Sequence, residues 1–144
     1  MNHLFFDTSA LVKRYYEEDG TEAVDALVEE EQNQVIISSL SVIESASAFR
    51  RKHNRGELSQ DRVNLLLSEF FEEALDGFAI VPLEEPITEY SFDLILEEDL
   101  RTLDSLQLST ALSVDSGGMV FVSADRKLNK VANRCGLETR NPTD

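Results

Sequence analysis

Short apolar runs alternate along the chain with longer segments whose apolar residues recur at helical spacing. The runs are rich in Phe, Val and Ile, and they predict buried strands at residues 4–6, 35–37, 78–81 and 119–122. The helical patterns predict helices at about 9–17, 21–31, 41–55, 60–76, 86–98, 103–115 and 125–135. Strands that alternate with helices form parallel sheets. The predicted fold is therefore α/β, with a central parallel sheet of four to five strands flanked by helices.

The length and composition predict one soluble domain covering residues 1–144. The 42% of hydrophobic residues can fill a core, and no repeat or linker divides the chain. No apolar stretch approaches the roughly 20 residues of a membrane span, and the first residues lack the pattern of a signal peptide. The single cysteine, Cys135, is expected to pack as a small apolar residue on a helix. We therefore expect a cytoplasmic protein.

Four acidic residues stand at predicted helix starts. Asp7 and Asp125 follow the first and fourth strands directly, Glu44 begins the helix after the second strand, and Asp104 begins a later helix. A structural explanation exists for each, because helix starts favour Asp and Glu through capping and the helix dipole. It is strongest for Glu44, since the segment SVIE (41–44) matches a capping box.

The four acids carry more information together than singly. In an open parallel sheet, the carboxyl ends of the strands lie along one edge, where ligands bind. Carboxylates gathered there repel one another unless a divalent cation neutralises them, and oxygen ligands alone favour Mg²⁺ or Mn²⁺. The only histidines, His3 and His53, form no zinc-type cluster. The sequence also lacks a Gly-rich phosphate loop and a nucleophile elbow.

The acids lie in the segments FFDTSALVKRY, SSLSVIESASAFRRK, LRTLDSLQLSTAL and VFVSADRKLNKVANRCGLE. These segments resemble the four acidic motifs of PIN-domain ribonucleases, in the order of that family and over residues 3–138. The likeness is strongest to toxins of the VapC type. Each motif is weak alone, but four at the expected strand and helix positions make a specific match. The resemblance implies a single PIN-like domain.

The resemblance also implies roles for individual side chains. The metal-binding catalytic acids would be Asp7, Glu44, Asp104 and Asp125. Asp7 and Asp125 are expected to bind the metal directly. Asp104 is expected either to bind it or to contact a residue that does. Glu44 would bind the metal through water or orient the nucleophile. The supporting hydroxyls would be Thr8, Ser9 and Ser123.

The charge distribution complicates nucleic-acid binding. A formal net charge of -15 argues against nonspecific binding, which normally needs clustered Lys and Arg. The bases nevertheless concentrate near the motif acids, and the candidate RNA contacts are Lys13, Arg14, Arg51, Arg55, Arg126 and Lys127. Helical spacing places Glu44, Ala48, Arg51 and Arg55 on one stripe. Two alternatives stay open: the basic run at 50–55 suits a helix C-terminus, and the acidity suits a salty cytoplasm.

By resemblance, the expected function is that of a Mg²⁺- or Mn²⁺-dependent endoribonuclease, the toxin of a type II toxin-antitoxin pair. Its substrate would be structured RNA, often tRNA, cleaved to a 3′-hydroxyl and a 5′-phosphate. A homodimer and inhibition by a small basic antitoxin are expected. One alternative is a catalytically silent PIN fold that binds protein or RNA. Another is a phospho-receiver domain, which is disfavoured because residues 3–6 contain no acid.

Overall fold

The computed structural model describes residues 1–144 and has the predicted α/β architecture. The strands are β1 (Asn2–Phe6), β2 (Asn33–Ser38), β3 (Ala79–Val81), β4 (Val120–Val122) and β5 (Glu138–Arg140). The helices are α1 (Thr8–Leu11), α2 (Thr21–Glu29), α3 (Ser39–Asn54), α4 (Gln60–Gly77), α5 (Glu85–Glu98), α6 (Thr102–Val114) and α7 (Arg126–Arg134). A 3₁₀ turn, Val12–Arg14, continues α1. All seven predicted helices and all four predicted strands are therefore present.

The strands form one parallel sheet in the order β3-β2-β1-β4-β5. The central strand β1 pairs with β2 on one side, where Leu4 lies opposite Val35, and with β4 on the other, where Leu4 lies opposite Val120. The chain thus builds outward from β1 in one direction and then returns to its other side. The carboxyl ends of β1 and β4 flank this reversal, which is where open α/β sheets form their ligand crevices.

The core lies on both faces of the sheet because side chains alternate along each strand. Phe5 packs on one face with Leu108 of α6, and it stacks on Phe121 with ring centroids 5.8 Å apart. Phe6 packs on the other face with Phe70 of α4. Burial on both faces explains why the strands read as continuous apolar runs rather than as alternating patterns.

The structure corrects three local predictions. Helix α3 begins at Ser39 and is capped by Ser38, whose Oγ accepts from the Leu40 amide at 3.1 Å, so the capping-box assignment for Glu44 is wrong. The first predicted helix is a single α-turn that tightens into the 3₁₀ turn. Strand β5 was not located from the sequence because Glu138–Arg140 is a polar edge strand.

Two further expectations concern the surface and the cysteine. Cys135 lies just after α7, half-buried against the core cluster on the Phe5 face of the sheet, in the apolar environment expected. None of the helices combines the length and the apolar character needed to cross a bilayer.

Truncating Phe70 should test whether α4 carries the core on its face of the sheet. Phe70 is fully buried, so Phe70→Ala should lower the free energy of unfolding by about 3–5 kcal/mol through lost burial and the cavity left behind. Leu75 lies on the same helix but is 81% exposed, and Leu75→Ala should change stability by no more than about 0.5 kcal/mol. Urea unfolding of both variants is the measurement. Equal losses would contradict the described packing.

Candidate metal and nuclease site

The four predicted acids line a single cavity of about 580 Å³ at the carboxyl edge of the sheet. Asp7 follows β1 and Asp125 precedes α7, while Glu44 and Asp104 lie in the early turns of α3 and α6. The lining also contains two arginines, Arg51 and Arg101, as well as the polar residues Thr8, Ser9, Ser47, Thr102 and Gln107. Folding therefore gathers carboxylates that lie far apart in sequence.

Asp7 occupies the deepest position among the four acids. Its Oδ1 accepts from the Ala10 amide at 3.0 Å, which caps α1, and from Ser9 Oγ at 2.7 Å. Its Oδ2 accepts from Ser123 Oγ at 2.6 Å, across the gap between β1 and β4. No Lys, Arg or His pairs with this carboxylate, which is only 4% exposed. Burial raises the pKa of Asp7 to about 6, with a smaller contribution from the negative charge of Asp104.

The two predicted supporting hydroxyls of this region tie the strand ends together. Ser123 Oγ accepts from the Asp125 amide at 3.0 Å while donating to Asp7. Ser9 Oγ accepts from the Ala124 amide at 3.1 Å while donating to the other oxygen of Asp7. Each hydroxyl thus links the turn after β1 to the turn after β4, which fixes Asp7 relative to Asp125.

Glu44 is held by a separate polar network that joins three helices. Its Oε1 accepts from Thr8 Oγ1 at 2.8 Å and from Gln107 Nε2 at 2.8 Å. Gln107 Nε2 also donates to Ser41 Oγ at 2.9 Å, and the hydroxyls of Ser41 and Thr8 lie 3.0 Å apart. The carboxylate is therefore held by contacts from α1 and α6 rather than by its own helix.

Asp104 and Asp125 share one cation. Arg101 Nη2 lies 3.2 Å from Asp104 Oδ2 and 3.8 Å from Asp125 Oδ2. Asp125 uses its other oxygen, Oδ1, to accept from the Leu128 amide and cap α7. The Oδ2 atom of each acid therefore faces the same guanidinium group, and Asp104 Oδ2 accepts hydrogen bonds from it. The Arg101 side chain is 83% exposed, so the pair is weak and easily exchanged.

Of the six bases predicted to contact RNA, only Arg51 lines the cavity. Its Nη1 donates to Ser47 Oγ at 2.9 Å, on the stripe that leads away from Glu44. The other five make ion pairs elsewhere: Lys13 with Glu18, Arg14 with Asp25 and Glu73, Arg55 with Glu57, Arg126 with Asp144, and Lys127 with Asp99. Lys13 is also buried, which removes it from the surface on which RNA would lie.

The donor set fits a hard divalent cation, although no three acid, imidazole or thiol groups converge on one point. Mg²⁺ is commonly bound through one or two carboxylates and several waters, so it does not need three protein ligands. Two observations support the fit. Asp7 is a buried carboxylate with no cation of its own, and Arg101 shows that Asp104 and Asp125 can face one cation together.

Four polar side chains of the cavity were not predicted from the sequence, namely Ser47, Arg101, Thr102 and Gln107, and Ser41 was assigned a different role. Gln107 lies three residues after Asp104 and Ser41 three residues before Glu44, so helical spacing could have placed each beside its acid. The capping-box pattern instead predicts Ser41 as the N-cap of its helix. Arg101 precedes Asp104 by three residues, and the same spacing predicts their ion pair. What spacing could not show is that Gln107 would reach Glu44.

The buried Asp7 carboxylate should make metal-free protein less stable at neutral pH. Because the pKa of Asp7 is raised to about 6, the folded state binds its proton more tightly than the unfolded state. The contribution of Asp7 to stability should therefore fall as pH rises from about 4 to 6. The full effect corresponds to about 3 kcal/mol, at about 1.4 kcal/mol per pKa unit. Asp7→Asn should therefore be more stable than the parent above pH 6, with the difference shrinking towards pH 4.

Urea unfolding in the presence of a chelator, repeated from pH 4 to pH 8, measures this difference. The matched control is Asp19→Asn, because Asp19 is exposed in a loop and its loss should shift stability little at any pH. A pH-independent effect of Asp7→Asn would contradict the burial of an ionisable group at this position.

Comparisons with known proteins agree with this architecture. The family model described as PIN domain matches residues 4–134. Solved structures with similar folds include FitAcB from Neisseria gonorrhoeae, at 17% identity and a TM-score of 0.69, covering 96% of this chain and 97% of that one. VapBC2 from Rickettsia felis, bound to a promoter DNA fragment, has 18% identity and a TM-score of 0.66, covering 96% and 98%.

A toxin-antitoxin complex from Klebsiella pneumoniae has 20% identity and a TM-score of 0.62, covering 96% of this chain and 97% of that one. At these identities the structural likeness establishes the fold. A search of curated protein sequences found no significant match. The family model spans nearly the whole chain and includes all four cavity acids, and the chain therefore belongs to the PIN-domain family.

Proposed function

We propose that this protein is a Mg²⁺- or Mn²⁺-dependent endoribonuclease and the toxin of a type II toxin-antitoxin pair. The observation that carries the proposal is that Asp7, Glu44, Asp104 and Asp125 all line one cavity in a PIN domain. The folding chain brings together acids from four separate segments, and such a cluster is costly unless it binds a cation. A cluster of purely structural capping residues would not need to share a cavity.

The proposed mechanism assigns separate tasks to the cavity side chains. A bound divalent cation supplies polarisation of the phosphodiester and activation of water. Asp7 and Asp125 would hold it, with Asp104 beside them, because Ser9 and Ser123 fix the first two acids relative to each other. Glu44 would present its Oε2 to the attacking water, since only its Oε1 accepts hydrogen bonds from the protein.

The arginines of the cavity would pair with phosphate groups of the substrate. Arg51 and Arg101 are the only bases among the residues that line it, and both side chains are exposed. Guanidinium groups pair well with phosphate oxygens. Because the rest of the surface is strongly acidic, we propose that RNA touches the protein mainly at this cavity. Structured RNA, often tRNA, is proposed as the substrate from the likeness of the motifs.

The proposed partner is a small basic antitoxin in the cytoplasm. The solved structures of similar fold include a toxin-antitoxin complex from Klebsiella pneumoniae and a VapBC complex from Rickettsia felis. A chain with a net charge of -15 and acids in its central cavity would attract a basic segment electrostatically. By the same likeness we propose that the toxin forms a homodimer.

Removing a single cavity acid should abolish metal-dependent cleavage. Asp7→Asn should lower the rate of RNA cleavage by about 10²-fold or more, because a carboxylate that would hold the cation is lost. Glu44→Gln should have a similar effect, because the group that would orient the attacking water is lost. Cleavage of total RNA with Mn²⁺, with Mg²⁺ and with excess chelator is the measurement. The control is Asp99→Asn, since Asp99 is fully exposed outside the cavity and adopts a left-handed conformation that Asn tolerates.

Three results would count against the proposed nuclease. They are cleavage that survives chelation, full activity in Asp7→Asn, and a parent protein that cuts no RNA with either metal after its antitoxin is removed. The last result would favour a silent PIN fold that acts by binding.

Metal binding should displace Arg101 from the two acids that it contacts. Arg101→Gln removes the competing guanidinium, so Mn²⁺ should bind the variant about two- to fivefold more tightly, as expected for an exposed ion pair worth up to about 1 kcal/mol. Titration calorimetry on metal-free protein gives the affinity. Arg126→Gln is the control, because Arg126 is similarly exposed but pairs with Asp144 outside the cavity. Equal tightening in both variants would show a general charge effect instead.

A further inference from the structure

Gln107 is a buried amide that the assigned roles leave unexplained. It is 2% exposed, it lies one turn after Asp104 on α6, and it lines the cavity. Its Nε2 donates to Glu44 Oε1 at 2.8 Å and to Ser41 Oγ at 2.9 Å, with Thr8 Oγ1 at 3.1 Å. A glutamine that only filled space would not need to reach an acid on another helix.

The protons of this network can be assigned one by one. The amide nitrogen of Gln107 has two protons, and its two shortest contacts use them on Glu44 and Ser41. The Ser41 hydroxyl then donates to Thr8 Oγ1, and the Thr8 hydroxyl donates to Glu44 Oε1. Every donor is used, and two of the donated protons reach the same carboxylate oxygen. The network therefore gives Glu44 Oε1 the role of a hydrogen-bond acceptor only.

The orientation of the amide suits an acceptor oxygen at Glu44 Oε1. Gln107 Oε1 is buried and accepts no hydrogen bond. Reversing the amide would give this oxygen the hydroxyls of Ser41 and Thr8, but it would also place it 2.8 Å from a carboxylate oxygen. The observed orientation leaves Gln107 Oε1 without a partner and lets Gln107 Nε2 donate to Glu44 Oε1. An unsatisfied buried acceptor is unfavourable, so the contact with Glu44 outweighs it.

We propose that Gln107 is a positioning residue, which holds Glu44 by Oε1 so that only Oε2 is available to the reaction. This inference rests on the proposed function, because it assigns Gln107 a task through Glu44. The proposal assigns Gln107 no contact with the substrate or the metal. Without it, Glu44 keeps the Thr8 contact alone, and its carboxylate can rotate away from the attacking water. Small displacements of a group that orients a nucleophile reduce the rate of the chemical step strongly.

Gln107→Met removes the donor while keeping a side chain of similar length. We expect kcat for RNA cleavage with Mn²⁺ to fall about tenfold or more, with KM changed less than about twofold, since the substrate contacts remain. Ser109→Ala is the matched control. Ser109 lies on the same helix, is 1% exposed, and donates to the Ile87 carbonyl on α5 rather than to the site. The Ser109→Ala variant should lose about as much stability as Gln107→Met but keep the kcat of the parent protein.

A double-substitution cycle separates positioning from general damage to the fold. If Gln107 acts only through Glu44, then adding Gln107→Met to Glu44→Ala should cause no further loss of activity. Losses that multiply would overturn the proposal. So would a fall in kcat of the same size in Ser109→Ala, or an unchanged kcat in Gln107→Met.

Nuclear magnetic resonance tests the contact without RNA or metal. The side-chain amide protons of Gln107, identified by their absence in Gln107→Met, should exchange slowly with solvent in metal-free parent protein. They should shift and exchange faster in Glu44→Ala but not in Ser109→Ala. If the shifts and exchange rates of these amide protons were the same in Glu44→Ala as in the parent protein, the inference would be overturned. If the parent protein proves inactive, the proposed nuclease fails, while this measurement still decides whether Gln107 holds Glu44.

Discussion

The buried carboxylate of Asp7 is the constraint around which the site is built. It sits at the end of the central strand with hydroxyl and amide donors but no cation, and burial raises its pKa to about 6. Holding an acid in this way is unfavourable for the free protein at neutral pH. A bound cation would offset this cost by neutralising the carboxylate. The Ser123 hydroxyl that fixes Asp7 also fixes the turn that carries Asp125, so both acids are held in place to bind it.

The site has two polar networks with different connections. The hydroxyls of Ser9 and Ser123 join the ends of β1 and β4, which are neighbouring strands already paired in the sheet. The amide of Gln107 joins α6 to α1 and α3, which no sheet hydrogen bond holds together. The first network therefore sets the position of Asp7 and Asp125 relative to the sheet. The second sets Glu44 relative to them.

The acidic character of the chain shapes how the site would meet a polyanion. Most bases near the motifs are used in ion pairs, as in the contacts of Arg14 with Asp25 and Glu73. The two bases of the cavity are Arg51, which donates to Ser47, and Arg101, which pairs with Asp104 and Asp125. The phosphates of a nucleic acid would then be attracted to the arginines at the cavity and repelled by the acidic residues over most of the remaining surface. This distribution favours a local contact over nonspecific coating.

The sequence alone determined the α/β class, six of the seven helices, four of the strands and the four acids that line the cavity. Periodicity and strand-end position are local properties that the residues themselves carry. It did not determine how the acids are held. The capping interpretation of Glu44 was wrong because α3 begins at Ser39, and the contact with Gln107 spans 63 residues of chain. Only the packing of α6 against the sheet decides which helices share a polar network, because that choice depends on shape and burial across the whole core.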